Sequence, residues 1–413
     1  MLRFLVGSIA AGGLYTYCKS QHNQVQVWGN GVYNPRKGHP DDILNFSNFT
    51  PKLIKNFCEE KSPNLIKIVF GPKSEAGIDE KGVIYIWNKH EVNNVKLDDV
   101  DDETRDIKIL EFTEKVQDLK FVDKILFALD TKGDVWQWRF DISDEPKVRK
   151  VSRLSNIKKI VSGSGHLAAL DKNGTIWTLG DDTYGQCGID NFSRQYSPPY
   201  LQIKYPNPME VAMLPDKATD IASGKYHIIA LLANGEVWGW GRNNKSQLAD
   251  IDEKHGKASA PISFVPTKIN GLIGKKVVKV AAGDMFSFFV VDENGDTEVF
   301  GCGLNSRGQL GLGYLTHITD VIKIQNISNF VYRDQKIGKI RPVGIKDIQC
   351  GAEHCLALMD VGAVYSWGAN EYGEQANKKR IIQDKPVLLK RLKSKQIVSI
   401  AAGDRMSGVI WKE

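Results

Sequence analysis

One spacing constrains this chain more than any other feature. In six places a glycine in a turn-like setting is followed five residues later by a large apolar residue: Gly82 and Trp87, Gly133 and Trp138, Gly174 and Leu179, Gly235 and Trp240, Gly295 and Phe300, Gly362 and Trp367. A spacing that recurs through most of 413 residues marks one supersecondary unit used repeatedly, which buries its apolar faces only by stacking on its own copies. A constant separation also implies a rigid element between the two landmarks. Asn-Gly at 173–174, 234–235 and 294–295 supplies the positive φ angles of a two-residue primed turn, so that element is predicted to be a β-hairpin. Past the turn, Trp238 and Trp240 fall on one face of a strand and Val237 and Gly239 on the other. Both faces are apolar or small, as in a strand packed between neighbouring sheets.

A second glycine precedes each turn by ten to twelve residues. These first glycines are Gly71, Gly163, Gly224, Gly283, Gly351 and Gly403, with Asp123 expected to stand in for one more. The residue before them is small in the better copies (Ser162, Ser223, Ala282, Cys350, Ala402), which points to a crowded position and makes Cys350 a packing residue. The count is seven, and the seventh copy is split. Residues 400–413 carry Gly403 without a turn glycine, while residues 24–31 carry Trp28-Gly29 with no first half before them. An open stack would leave both fragments as bare sheet edges, whereas a ring joins them in one blade. The expected architecture is therefore all-β: a seven-bladed β-propeller over residues 22–413, with Val25–Trp28 pairing with Ser407–Trp411.

Residues 1–21 differ from the rest. Met1, Leu2 and Arg3 lead into an uncharged stretch from Phe4 to Cys18, closed by Lys19. As a helix, residues 2–18 would reach about 25 Å, near the roughly 30 Å of a bilayer core. A secretory signal calls for an A-x-A-like cleavage site and a mitochondrial presequence for several arginines, and this segment has Ala10-Ala11 followed by glycines and a single arginine. Its Met-Leu-Arg-Phe start is closer to mitochondrial import and inner-membrane segments, and a retained single-pass anchor is expected.

At the level of tripeptides and longer, Gly224-Lys225-Tyr226-His227, Asn234-Gly235-Glu236-Val237-Trp238-Gly239-Trp240-Gly241 and Gly308-Gln309-Leu310-Gly311 resemble the repeat of the regulator of chromosome condensation family. The resemblance covers residues 24–413 and is weakest near residues 60–140, where Trp87-Asn88 and Trp138-Arg139 replace Trp-Gly. It implies a seven-bladed propeller. Members of that family exchange nucleotide on a small GTPase and dock on nucleosomes, or serve as modules in ubiquitin ligases, ciliary, ultraviolet-sensing and mitochondrial proteins. Two departures matter: an apolar segment stands in place of a basic DNA-binding tail, and the tryptophan-rich repeat of the ultraviolet receptors is missing. Lys+Arg 55 against Asp+Glu 49, a net charge of +6, describes a mixed surface and argues against nucleic acid as partner. The six scattered cysteines form no disulfide framework.

No catalytic set emerges. His166, His227 and His354 share a repeat position with Phe286 and Met406, which makes them structural. Cys350, His354 and Cys355 lack a second ligand pair for zinc, and the glycines at 301–313 lack the Lys-Ser/Thr of a phosphate loop. No metal and no cofactor is expected. The acidic run 98–103 and the basic run 378–395 read as solvated faces or docking patches. The longest interval between first glycines, Gly283 to Gly351, holds an insertion at 314–342 that is the first choice for a contact loop. The candidate partner-binding residues are Tyr314, Tyr332, Arg333, Lys336, Lys339, Arg341, Lys378, Lys379 and Arg380. The expected function is a membrane-tethered, non-catalytic scaffold, an accessory subunit or assembly factor of a mitochondrial inner-membrane respiratory complex. The alternative is a guanine-nucleotide exchange factor.

Overall fold

The computed structural model describes residues 24–29, 52–53, 63–72, 74–88, 107–110, 112–139, 147–190, 204–249, 260–328, 330–333, 340–376, 381–393 and 395–412. They form seven four-stranded antiparallel sheets and one small hairpin. Blades 1 to 6 begin with the strands Leu65–Phe70, Val116–Val122, Ile157–Ser162, Ala218–Ser223, Val277–Ala282 and Ile345–Cys350, and each blade runs in chain order from the first strand to the fourth. Blade 7 is composite. Its order is Lys52–Leu53, Gln24–Gly29, Met406–Lys412, Gln396–Ala402. Gln24 to Gly29 pair with Trp411 to Met406 in unbroken register, so the expected closure is present.

Burial shows why the ring holds. The second strands His166–Asp171, His227–Leu232 and His354–Met359 are buried at every residue, because each is sandwiched between two neighbouring sheets. The apolar side chains separate into seven clusters, one in each gap between blades. The gap between blades 7 and 1 is filled by Val25, Val27, Ala401 and Ile410 against Leu65, Ile68, Tyr85 and Trp87. Trp28, Trp87, Trp138, Trp240 and Trp367 are all core residues.

The structure corrects three local expectations. Phe121 pairs with Leu126 just as Ser162 pairs with Leu167, so Val122, not Asp123, occupies the first-glycine position in blade 2. Asp123 lies one residue further on with φ 50°. In blade 5 the hairpin is longer: Asn294-Gly295 makes the two-residue primed turn, and Cys302 rather than Phe300 lies opposite Ser287, where Trp240 lies opposite Ile228 in blade 4. The Asn-Gly pairs of blades 3 and 4 instead close type I turns, with Gly174 N–H donating to Asp171 O and Gly235 N–H to Leu232 O, and with only the glycine at positive φ.

Candidate functional site

In blades 3 to 6 the last or next-to-last residue of the third strand is a glycine with φ of 101° to 108°: Gly180, Gly241, Gly303 and Gly368. At each of them the register against the outer strand slips. A side chain at Gly241 would lie 2.4 Å from the Tyr226 carbonyl. The slip lets the chain double back into a tight turn built four times alike. Asp182, Asn243, Asn305 and Asn370 each accept, through Oδ1, the backbone N–H five residues on, at 2.7–2.9 Å. Gln186, Gln247, Gln309 and Glu374 each accept the N–H two residues back.

This turn presents one backbone carbonyl to the next blade. Trp240 Nε1 donates to Gln186 O at 3.1 Å, Trp367 Nε1 to Gln309 O at 2.8 Å and Trp28 Nε1 to Glu374 O at 2.7 Å. In blade 5, where cysteine replaces tryptophan, Ser287 Oγ donates to Gln247 O at 2.6 Å, with Cys302 Sγ 3.6 Å from the same oxygen. The histidines add a second set of links: the Nε2 atoms of His166, His227 and His354 lie 2.9–3.0 Å from Ser223, Ser287 and Ser407 Oγ of the following blade. Burial pushes these imidazoles down to about 4, about 3 and about 4, so they are neutral at physiological pH. Their place is in the interfaces and away from solvent.

Because the strands alternate in direction, the turns from inner to second strands and the loops from third to outer strands emerge at one end of the ring, the front. The remaining connections emerge at the back. On the front, Tyr184 of blade 3 packs on Tyr226 of blade 4 with ring centroids 4.9 Å apart. The Arg242 guanidinium lies 4.8 Å from the Tyr184 ring and 5.7 Å from that of Tyr226. Lys225 is 3.3 Å from Asp284, whose carboxyl is raised by burial and by Asp404 and Glu353, against the pull of Lys225. Further round, Arg405 stacks 4.4 Å over Tyr372, and Glu374 beneath is pushed up to about 7 by burial.

The channel wall carries a second pattern. Every inner strand slips register at its second residue or its neighbour, and the next residue is Lys67, Asp118, Lys159, Asp220, Lys279, Asp347 and Ser399 in turn around the ring. Charges alternate through six blades. Lys67 pairs with Asp118, Lys159 with Asp220 and Lys279 with Asp347, each across one gap. An odd ring cannot alternate throughout, and the seventh place is held by the neutral Ser399. Lys120 lies beside Asp118 in this collar, 3.9 Å from its Oδ1.

The sequence-predicted contact residues are not brought together. Tyr314 lies on the front, 46% exposed. The hairpin Val331–Arg333 with Ile340–Pro342, which carries Tyr332, Arg333 and Arg341, lies in a connection at the back. Lys336, Lys339, Lys378, Lys379, Arg380, the acidic run 98–103 and segment 1–21 fall outside the described residues. Sequence reasoning passed over Tyr184, Tyr226 and Arg242. Their signal was positional: Tyr184 and Tyr372 sit two residues before Gln186 and Glu374 in the same turn, and Tyr226 and Arg405 sit two residues after a first glycine.

The family description "RCC1-like domain" matches residues 141–413. The chain belongs to the RCC1-like domain family. Relatives of this RCC1-like chain include the E3 ubiquitin-protein ligase HERC2 of Homo sapiens, 28% identical over 270 residues that span 65% of this chain and 5% of that protein. The RCC1 domain-containing protein RUG3, mitochondrial, of Arabidopsis thaliana is 25% identical over 294 residues, 68% of this chain and 60% of that one. The chain thus spans less than two thirds of either relative, and only a small part of the first. Among solved structures, Prp20p of Saccharomyces cerevisiae superposes with a TM-score of 0.69 at 18% identity, over 95% of this chain and 92% of that one. The last likeness shows the propeller fold of RCC1-like domains. Among the described residues, no helix is long and apolar enough to cross a membrane, and no group of three or more His, Cys, Asp or Glu is placed to hold a metal.

Proposed function

We propose that this RCC1-like propeller is a non-catalytic protein-binding scaffold whose partner docks on the front, around Tyr184, Tyr226 and Arg242. The observation that carries this reading is the Tyr-Tyr-Arg stack itself. All three side chains are half-buried and held by one another, so they reach a partner with little left to order, and Tyr and Arg dominate binding energy at protein interfaces. Segment 2–18 tethers the propeller to a membrane. The likeness to a mitochondrial relative favours that organelle, and within it the proposed role is that of an inner-membrane accessory subunit or assembly factor of a respiratory complex. Cross-linking mass spectrometry on isolated membranes tests this. Cross-links from Lys225 and Lys245 to one partner, lost in Tyr226→Ala/Arg242→Ala, are expected; a chain that migrates alone on native gels after mild detergent rules the scaffold out.

The second reading is nucleotide exchange on a GTPase. It is favoured by the fold shared with Prp20p, a protein described by its binding to Gsp1p and histones. Labelled GDP released no faster from candidate GTPases in the presence of the propeller would remove it.

A further inference from the structure

Cys350 and Cys355 face each other across the first two strands of blade 6, Cys350 at the end of one and Cys355 near the start of the next. Their sulfurs are 3.4 Å apart. The last hydrogen-bonded rung of this hairpin is Gly351 N–H to His354 O, so the adjoining pair 350/355 is a non-hydrogen-bonded one. Such pairs bring Cα atoms to about 4.5 Å, inside the range that a disulfide spans without moving the backbone. The other blades have no such pair at this place: the matching partners are Phe70 and Glu75, Phe121 and Leu126, Ser162 and Leu167, Ser223 and Ile228, Ala282 and Ser287, Ala402 and Ser407.

Cys355 also performs a task for the ring. Its thiol lies 3.6 Å from Gln309 O, the turn carbonyl that blade 5 offers to blade 6. Ser287 and Ser407 stand at the same place in blades 5 and 7 and donate to Gln247 O and Glu374 O. Cys350 is half-buried, at the front end of its strand, while Cys355 is fully buried.

We infer that Cys350 and Cys355 form an oxidation site, in which a peroxide converts the pair to a cross-strand disulfide and thereby withdraws the Cys355 thiol from the Gln309 carbonyl. The accessible Cys350 sulfur attacks one peroxide oxygen; the O–O bond breaks, and with hydrogen peroxide Cys350 becomes a sulfenic acid and one water leaves. The Cys355 sulfur then attacks the Cys350 sulfur, an S–S bond forms, the S–O bond breaks, and the departing hydroxyl leaves as water with the Cys355 proton. The two thiols supply two electrons and two protons, and one peroxide yields two waters. Trp367 Nε1 remains the only one of these two donors to Gln309 O. The link between blades 5 and 6 is weakened without the ring being opened.

The test is peptide mass mapping of the whole protein after mild hydrogen peroxide, with hydrogen–deuterium exchange on the same sample. Residues 347–378 form one tryptic peptide holding both cysteines. It should lose about 2 Da on oxidation and regain them with a reductant. Exchange at residues 305–311 should quicken by about threefold to fivefold, the effect of one weak hydrogen bond lost. Cys350→Ala, which installs the residue of blades 5 and 7, should abolish the mass loss. Cys355→Ser should abolish it too but keep a donor to Gln309 O, leaving exchange at 305–311 unaffected by peroxide. A peptide that ends as a Cys350 sulfinate, or that keeps both free thiols while other cysteines oxidise, overturns the proposal.

Discussion

In blade 4 the indole of Trp240 donates to a carbonyl of blade 3, whereas in blade 1 the indole of Trp87 donates to Glu75 Oε2, 2.7 Å away within its own sheet. The same residue type at the same repeat position thus serves an inter-blade link in one arc and an internal one in the other. First glycines show the same split. A side chain at Gly163, Gly224, Gly283 or Gly351 would meet the carbonyl oxygen of the next blade's first glycine at 2.2–2.8 Å. Alongside, Ser164 N–H donates to Lys225 O at 2.9 Å, and Lys225, Asp284 and Ala352 N–H each reach the following blade at 3.3 Å. Around Gly403 and Gly71 the neighbours are instead the rings of Phe70 and Phe121. Blades 3 to 7 are joined by backbone contact, which tolerates no added atom; the joints to blades 1 and 2 are made by side chains, which can shift.

The sharpest way to break this contrast is Gly224→Ala against Gly71→Ala. The new methyl in blade 4 has a carbonyl 2.3 Å away and the His227 ring at 2.1 Å, so a loss of about 3 kcal/mol or more is expected, against about 1–2 kcal/mol where only the Phe121 ring must yield. Urea unfolding of the two variants measures both. Equal losses would show that the two arcs are packed alike.

Next come the tryptophans. Trp87→Phe should cost about 3 kcal/mol, because buried Glu75 loses a donor, and Trp240→Phe about 2 kcal/mol, because the group stranded is an uncharged carbonyl. Restoring stability with Trp87→Phe/Glu75→Gln, measured by the same denaturation, would confirm the internal link.

Acid separates the arcs a third way. The folded imidazoles of His166, His227 and His354 take up protons only near 4, 3 and 4, while in the unfolded chain they do so near 6.5. The unfolded state therefore binds more protons, and stability falls as pH drops below about 6.5, by roughly 2 kcal/mol per histidine at pH 5. Glu374, raised to about 7, works with the opposite sign: its protonated form is favoured by folding, so its contribution grows from pH 7 down toward 4.5. In a Glu374→Gln background, the melting temperature should fall between pH 7 and 5, and His166→Phe should remove about a third of the fall. Hydrogen exchange at pH 5 should quicken at the gaps 3/4, 4/5 and 6/7 and spare the gap 2/3, where Ile125 holds the histidine position of blade 2. The smallest effect belongs to the collar. Its ion pairs are partly water-exposed, so Lys279→Met should cost under about 1 kcal/mol in 0.15 M salt.

Much of the ring was legible because glycines and tryptophans mark backbone positions that no other residue fills as well. Trp28-Gly29 and Gly403 located the composite blade for that reason. The longer hairpin of blade 5 was hidden because Phe300 satisfies the apolar pattern at the usual distance while Cys302, two residues on, takes the structural place. Val122 was hidden because Asp123 beside it adopts the positive φ that a glycine would suggest. The collar residues stand four before each first glycine, yet their alternation has meaning only once inner strands are known to be neighbours. Tyr184 and Tyr226 meet only because the turn of blade 3 folds back over blade 4, a contact that no local pattern announces.

The pairing of Gln24–Gly29 with Met406–Lys412 sets a timetable for biosynthesis. At roughly 5 to 20 residues per second, the ribosome needs about 20 to 75 s to pass from Gly29 to Met406. Throughout that interval the earliest strand waits as a naked edge, open to pairing with another nascent chain. A holding chaperone bound near residue 27, released only after the last strand emerges, is what such a delay calls for.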